Sequence, residues 1–205
     1  MAQSKVEICN VALGMLGAGP IRDFTEENKR ARMCNAFYLP ICDSLVARFD
    51  WPFARRIAKL QQVVTTEPVP TGWYPYQLPT DCLTPRDLFP EGSQDKWVIM
   101  GRLLLCQKSE DVYLRYTSRI NESGTFPEPF SGLLAQALAV QLCMPITQDK
   151  ELYKVLGQQY TWSLNEAMEN EANIGNEYRE ADNDPNVELF VTAGGNGGRA
   201  WESID

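Results

Sequence analysis

A chain of 205 residues with no histidine and a formal charge of −8 is long enough for one core of ordinary size but poorly equipped for common catalysis. Without imidazole it lacks the Ser–His and Cys–His nucleophile pairs, the neutral-pH proton shuttle and the commonest metal ligand. The acidic balance weighs against nucleic-acid binding, which draws its affinity from Lys and Arg neutralising phosphates.

In chain order, Ser4 and Glu7 have the spacing of a capping box. They open a helix with Ile8, Ala12 and Leu16 on one face, stopped at Gly17 before Pro20. The apolar stretch 11–18 imitates a secretion signal weakly. Lys5 is cancelled by Glu7, and Asn10 interrupts the start of the apolar region, so a soluble, unsecreted chain is expected. A second helix is expected to start at Thr25, where Glu26 and Glu27 suit the positive end of the helix dipole. Its apolar positions are Cys34, Phe37, Tyr38, Ile41, Leu45 and Phe49, with a kink or break near residue 39 because Pro40 falls inside it. It closes in the aromatic cluster Phe49, Trp51, Phe53.

The middle changes character. Six prolines, at 68, 70, 75, 79, 85 and 90, fall within 23 residues, which favours short strands and turns. Gly101-Arg102 separates two apolar runs, 97–100 and 103–106, as the two-residue loop of a type II′ hairpin would. Val112, Leu114 and Tyr116 alternate with Tyr113, Arg115 and Thr117 in the pattern of a half-buried strand. Helical signals return at Pro129, with apolar positions from Phe130 to Leu142 and a stop at Pro145. Thr147 is placed to cap a last helix carrying Leu152, Val155, Leu156, Tyr160, Leu164 and Met168, with Gly175 as its terminator.

Six cysteines (Cys9, Cys34, Cys42, Cys82, Cys106, Cys143) include no CxxC pair and read as reduced, buried thiols in a reducing compartment. Charge is split sharply along the chain. Residues 1–165 hold 17 acidic and 17 basic side chains, whereas 166–205 hold ten acids against Arg179 and Arg199. Such a block at one terminus reads as an interaction tail or a solvated segment.

These patterns predict an α+β chain: mainly a helical bundle with a β-rich insertion between the second and third helical segments, plus an extended C-terminal tail. In residue terms, one domain covers 1–175, helical over 4–53 and 128–174 with the insertion at about 55–120, and the acidic tail covers 176–205.

Several motifs invite sharper readings. Gly14 to Gly19 imitates a phosphate loop but follows a helix where a strand is needed, and the glycines of 194–198 lack the Lys-Ser/Thr of a nucleotide-binding loop. Asp182-Asn183-Asp184-Pro185-Asn186 echoes a calcium loop, with Val187 where glycine belongs and Ala193 where the bidentate Glu belongs. Glu166, Glu169 and Glu171 could be imagined as a glycosidase carboxylate pair, although their helical spacing favours a solvated face. No catalytic residue, cofactor or metal is assigned. Trp51-Pro52-Phe53 reads as core ahead of docking anchor. The residues marked for partner binding are Glu180, Asp182, Asp184, Leu189, Phe190, Val191 and Trp201 in the tail, with Arg55 and Arg56 at a strand edge.

Ile8-Cys9-Asn10, Ala12-Leu13, Leu16-Gly17-Ala18 and Pro20-Ile21 resemble the opening of the podovirus-type tail tubular protein A family. So do Arg30, Arg32 and Cys34, followed by Asp50-Trp51-Pro52-Phe53-Ala54-Arg55-Arg56, then Leu78-Pro79-Thr80-Asp81-Cys82-Leu83 after Trp73, and Leu114-Arg115-Tyr116. The likeness covers roughly 6–170. It implies a non-enzymatic virion protein forming a ring, dodecameric in the family, between the portal protein of the head and the tail nozzle, tail tubular protein B. The genome would pass through without specific binding. The resemblance also places the protein in the virion tail, and in the host cytoplasm during assembly, with no membrane partner. Twelve copies would carry about −96, a field over which DNA slides rather than sticks. The alternative is a tail-associated, carboxylate-dependent cell-wall hydrolase.

Overall fold

The computed structural model describes residues 3–89 and 95–182, the side chains of 171–182 excepted. The chain divides into two units, 1–163 and 164–205, with the last helix running across the division.

Helix α1 (Lys5–Met15) begins in the expected capping box: the Glu7 amide donates to Ser4 Oγ at 3.2 Å, and the Glu7 carboxylate accepts from the Ser4 amide. It ends where left-handed Gly17, at φ +63°, lets Ala18 N–H reach the Leu13 carbonyl at 2.9 Å and Gly17 N–H the Gly14 carbonyl at 3.0 Å. That pair satisfies two carbonyls the helix end would leave orphaned. Helix α2 (Lys29–Arg48) starts later than Thr25. Asn28 is the cap, its side chain accepting from Ala31 N–H at 2.8 Å, because Glu26 instead organises the preceding turn through Arg22, Asp23 and Asn28. Pro40 lies inside α2 without breaking it.

Helix α3 (Glu128–Thr147) packs against both α1 and α2. Eleven of its 20 residues are buried, and a helix apolar all round belongs at the centre of a cluster. By length and composition α3 could cross a membrane, but here its faces are covered by the other two helices. It runs two residues past Pro145 and ends in left-handed Gln148. Asp149, not Thr147, caps helix α4 (Lys150–Asp182), its carboxylate accepting from Glu151 and Leu152 N–H at 2.9 and 3.0 Å. Gly175 does not end α4. Of the apolar positions expected there, Leu156 is buried and Val155 exposed.

Between α2 and α3 lie two antiparallel sheets. The first has the order β1 (Arg55–Lys59), β7 (Tyr113–Ser118), β4 (Cys82–Phe89). The second has the order β2 (Gln61–Gln62), β3 (Tyr74–Gln77), β6 (Leu103–Cys106), β5 (Trp97–Met100). The β5–β6 hairpin has the expected two-residue loop, with Met100 opposite Leu103 and Gly101 at φ +59°. The sheets share one core: Tyr76, Leu104 and Cys106 from the second meet Cys82, Leu88, Leu114 and Tyr116 from the first.

Among the described residues the fold is therefore α+β with four helices and two antiparallel sheets. The expected architecture of a mainly helical bundle with a β-rich insertion is overturned on two counts. The helices do not make one bundle of four, since among the described residues the extensive helix packing is that of α1 and α2 on α3. The β region also buries its own apolar core, which makes it a structural unit in its own right. The expected extended tail is corrected in part: α4 stays helical to Asp182, and 183–205 lie outside the described residues.

Candidate functional site

The most heavily tied part of the chain is the junction where α2 hands over to β1. A helix end leaves its last carbonyls without backbone partners, and here side chains from elsewhere supply donors. The Trp51 indole N–H donates to the Leu45 carbonyl at 3.0 Å. Arg86, on β4, donates to the carbonyls of Ala47 and Phe49 at 2.9 and 2.7 Å and to Thr117 Oγ1 at 2.8 Å. Thr84 Oγ1 adds a donor to Ala47 at 3.3 Å. Burial lowers the Arg86 guanidinium from its ordinary value, yet arginine starts so far above neutrality that it stays charged. A cation at a helix C-terminus is also favoured by the dipole.

Asp50 sits beside this junction and gathers two guanidinium groups on one oxygen. Arg115, on β7, donates to Oδ2, and Arg55 Nε lies 3.1 Å from the same atom. The aromatic cluster closes the apolar side: Trp51 meets Phe49, Phe53 and Phe130 with ring centroids 5.3, 6.2 and 5.2 Å apart, and Phe53 stacks edge-on to Phe126. Trp51 is 2% exposed, so it is core, as the sequence reading favoured for this cluster, whereas Phe53 is half-buried and Pro52 exposed.

The other motif residues pair in the same way. Asn10 clamps Ile21 in both directions, Nδ2 to the carbonyl at 2.9 Å and Oδ1 from the amide at 2.8 Å. Tyr116 donates to the Asp81 carboxylate at 3.2 Å, and that hydroxyl is pushed up to about 12 by burial first and by the Asp81 charge second. Arg102 holds the Leu78-Pro79-Thr80-Asp81-Cys82 turn through the carbonyls of Pro79 and Cys82. All six cysteines are free and buried. Cys9 on α1 and Cys34 on α2 share a hydrogen bond, which, with burial, holds the Cys9 thiol well above its ordinary value. Burial pushes Cys42 up to about 12.

Arg55 and Arg56 lie on β1, the edge strand of the first sheet, and both are exposed. Glu180 and Asp182 fall in the last turns of α4, whose side chains are outside the description. Asp184, Leu189, Phe190, Val191 and Trp201 lie outside the described residues. Of the marked residues, only Arg55 and Arg56 have described side chains, and they are neighbours on β1. Glu166 and Glu169 are both exposed on α4. Among the described residues, no group of three or more His, Cys, Asp or Glu side chains is arranged to hold a metal ion. Sequence reasoning missed Arg86 and the Asp43–Arg119 ion pair at 2.7 Å. The available signal was an arginine within the short run Cys82–Phe89, in which Cys82 and Leu88 are buried.

The sequence matches no family model and no curated protein.

Proposed function

We propose that this chain is a structural assembly protein, the ring-forming adaptor between the portal protein and the tail nozzle of a short-tailed phage. One observation carries the reading. Residues quoted for the family resemblance, although distant in sequence, bind one another: Asn10 with Ile21, Asp50 with Arg115 across 65 positions, and Asp81 with Tyr116 across 35. Scattered short motifs that meet as bonded pairs are what a shared fold demands. Among the charged motif residues, Asp50 and Arg115 are spent on joining the end of α2 to the first sheet, which suits a rigid part that holds a position better than a centre that turns over substrate. The neighbours would be a second copy on each side, portal above and tail tubular protein B below, with DNA passing through without specific binding. Assembly would take place in the host cytoplasm, and the finished ring would sit in the virion tail.

The test is electron microscopy of the full-length protein mixed with its phage's portal, beside the protein alone. Rings seated on the portal are the expected result and would give the stoichiometry. Bare portals, with both proteins folded, would overturn the adaptor reading, and a glycan-cleavage assay on the same sample would then decide for or against the hydrolase.

A further inference from the structure

A ring needs a heterologous contact, one surface of each copy meeting a different surface of the next, and the first sheet offers one such surface. Strand β1 pairs with β7 on one side only, and among the described residues no strand covers its outer edge. Edge strands usually carry protection. The far edge of this sheet, β4, has it in two register shifts, Pro85 and a packed α2. On β1 the residues Arg55, Arg56, Ile57 and Lys59 are exposed, Ile57 by 50%. The register opposes Arg55, Ile57 and Lys59 to Thr117, Arg115 and Tyr113, so these three share one face as a cation–apolar–cation row. Ala58 lies opposite buried Leu114 on the other face.

The chain also contains a complement to that row. Within the acidic block, 187–192 reads Val-Glu-Leu-Phe-Val-Thr, a run of strand-forming residues with an acid two positions before an aromatic. Setting Phe190 beside Ile57 puts Glu188 beside Arg55 if the strands run parallel and beside Lys59 if they run antiparallel. Either direction meets a cation that also holds an acid of its own copy, Arg55 with Asp50 and Lys59 with Asp111. Leu189 and Val191 then continue the apolar face of Ala58 and Leu114. The other open edge with an exposed apolar residue, β5 at Val98, has no charge within the strand Trp97–Met100 and offers no such match.

We infer that residues 187–192 of one copy add as a fourth strand to the outer edge of β1 in a second copy. This gives the ring a head-to-tail link made of backbone hydrogen bonds, with the acidic segment selecting the basic edge. The inference rests on the ring reading only in taking a second copy as the source of the segment.

The test is self-association of the full-length chain, without portal, by analytical ultracentrifugation. Ile57→Glu and Phe190→Lys each remove the central apolar pair without touching the described core, and far-UV circular dichroism checks that each variant is folded. Each variant alone should associate at least about tenfold more weakly than the parent. An equimolar mixture should recover, because the new carboxylate on the β1 edge of one variant then meets the new ammonium in the segment of the other, while the remaining edge and segment are unaltered. A parent chain that stays monomeric throughout, as docking within one chain would leave it, overturns the inference. So does either variant associating like the parent, or a mixture that fails to recover. The assay contains no portal, so its failure and the failure of portal binding are separate results.

Discussion

Replacing Trp51 tests the junction most directly, because its environment allows the cost to be worked out group by group. The indole is buried, lies within 5.2–6.2 Å of three aromatic rings, and its N–H is given to a carbonyl at the end of α2. Trp51→Phe keeps most of the apolar contact and removes the donor, which should cost about 1–3 kcal/mol for a buried carbonyl left unpaired. Trp51→Ala adds the transfer and cavity terms and should cost about 3–5 kcal/mol or somewhat more, a large share of the roughly 5–15 kcal/mol by which domains are stable. In a chain this size each kcal/mol lowers Tm by about 2–4 °C, so a fall of roughly 6–20 °C is expected for the alanine. Trp162, on α4, is 68% exposed, and Trp162→Ala should stay within about 0.5 kcal/mol of the parent. Urea unfolding followed by far-UV circular dichroism measures all three. A neutral Trp51→Phe would refute the role given to the indole N–H, and equal costs for the two alanine variants would refute the burial argument itself.

The turn after α1 gives a pair of opposite sign. Gly17→Ala should destabilise by about 1 kcal/mol because it forces a side chain into left-handed backbone, whereas Gly14→Ala, in the helix with open space at its Cβ position, should stabilise by about 0.5–1 kcal/mol. Thermal melts of both variants decide. The Lys59 ammonium beside Asp111, at 2.5 Å, holds that carboxyl below the usual range through its hydrogen bond and charge. Its contribution to stability is therefore present above the ordinary carboxylate value of about 4 and lost as pH falls through the lower folded value. A carbon-detected NMR titration should show Asp111 returning to the ordinary range in Lys59→Met, and an unchanged midpoint would sink the pairing. Finally, a chromogenic disulfide reagent should find six thiols after denaturation without reductant and react far more slowly with the native chain. A count below six would contradict the buried, reduced state.

What could be read from the sequence was local. The capping box, the Gly17 stop, the Gly101 hairpin and the alternation of Val112, Leu114 and Tyr116 each depend on residues within a few positions of one another, so their patterns are visible in a short window. The failures arise where packing outweighs a local rule. At Pro40, where a kink or a break was expected, α2 is not broken, because the proline lies on the exposed side, where the carbonyl it leaves unpaired can turn to water. The opposite side is held by Ala31, Cys34, Tyr38, Cys42 and Leu45. Thr25 had the chemistry of a cap and lost to Asn28 because Glu26 was drawn into the turn before it. The strand order was beyond reach, since β1 pairs with a strand more than 50 residues later and no short window contains both.

The same distinction governs the candidate site. Asp50, Asp81, Arg115 and Tyr116 could each be picked out as motif residues, but nothing in the sequence said that the first binds the third and the second the fourth. Once those pairs are drawn, these motif residues look less like unspent chemistry, because each holds another in place. Function must then be sought in what the fold leaves uncovered. By that standard Arg56, bound among the described residues only to the backbone carbonyls of Phe53 and Arg55, and its exposed neighbour Ile57 are better candidates for contact with another molecule than Asp50 or Arg115, although the cluster holds more charge.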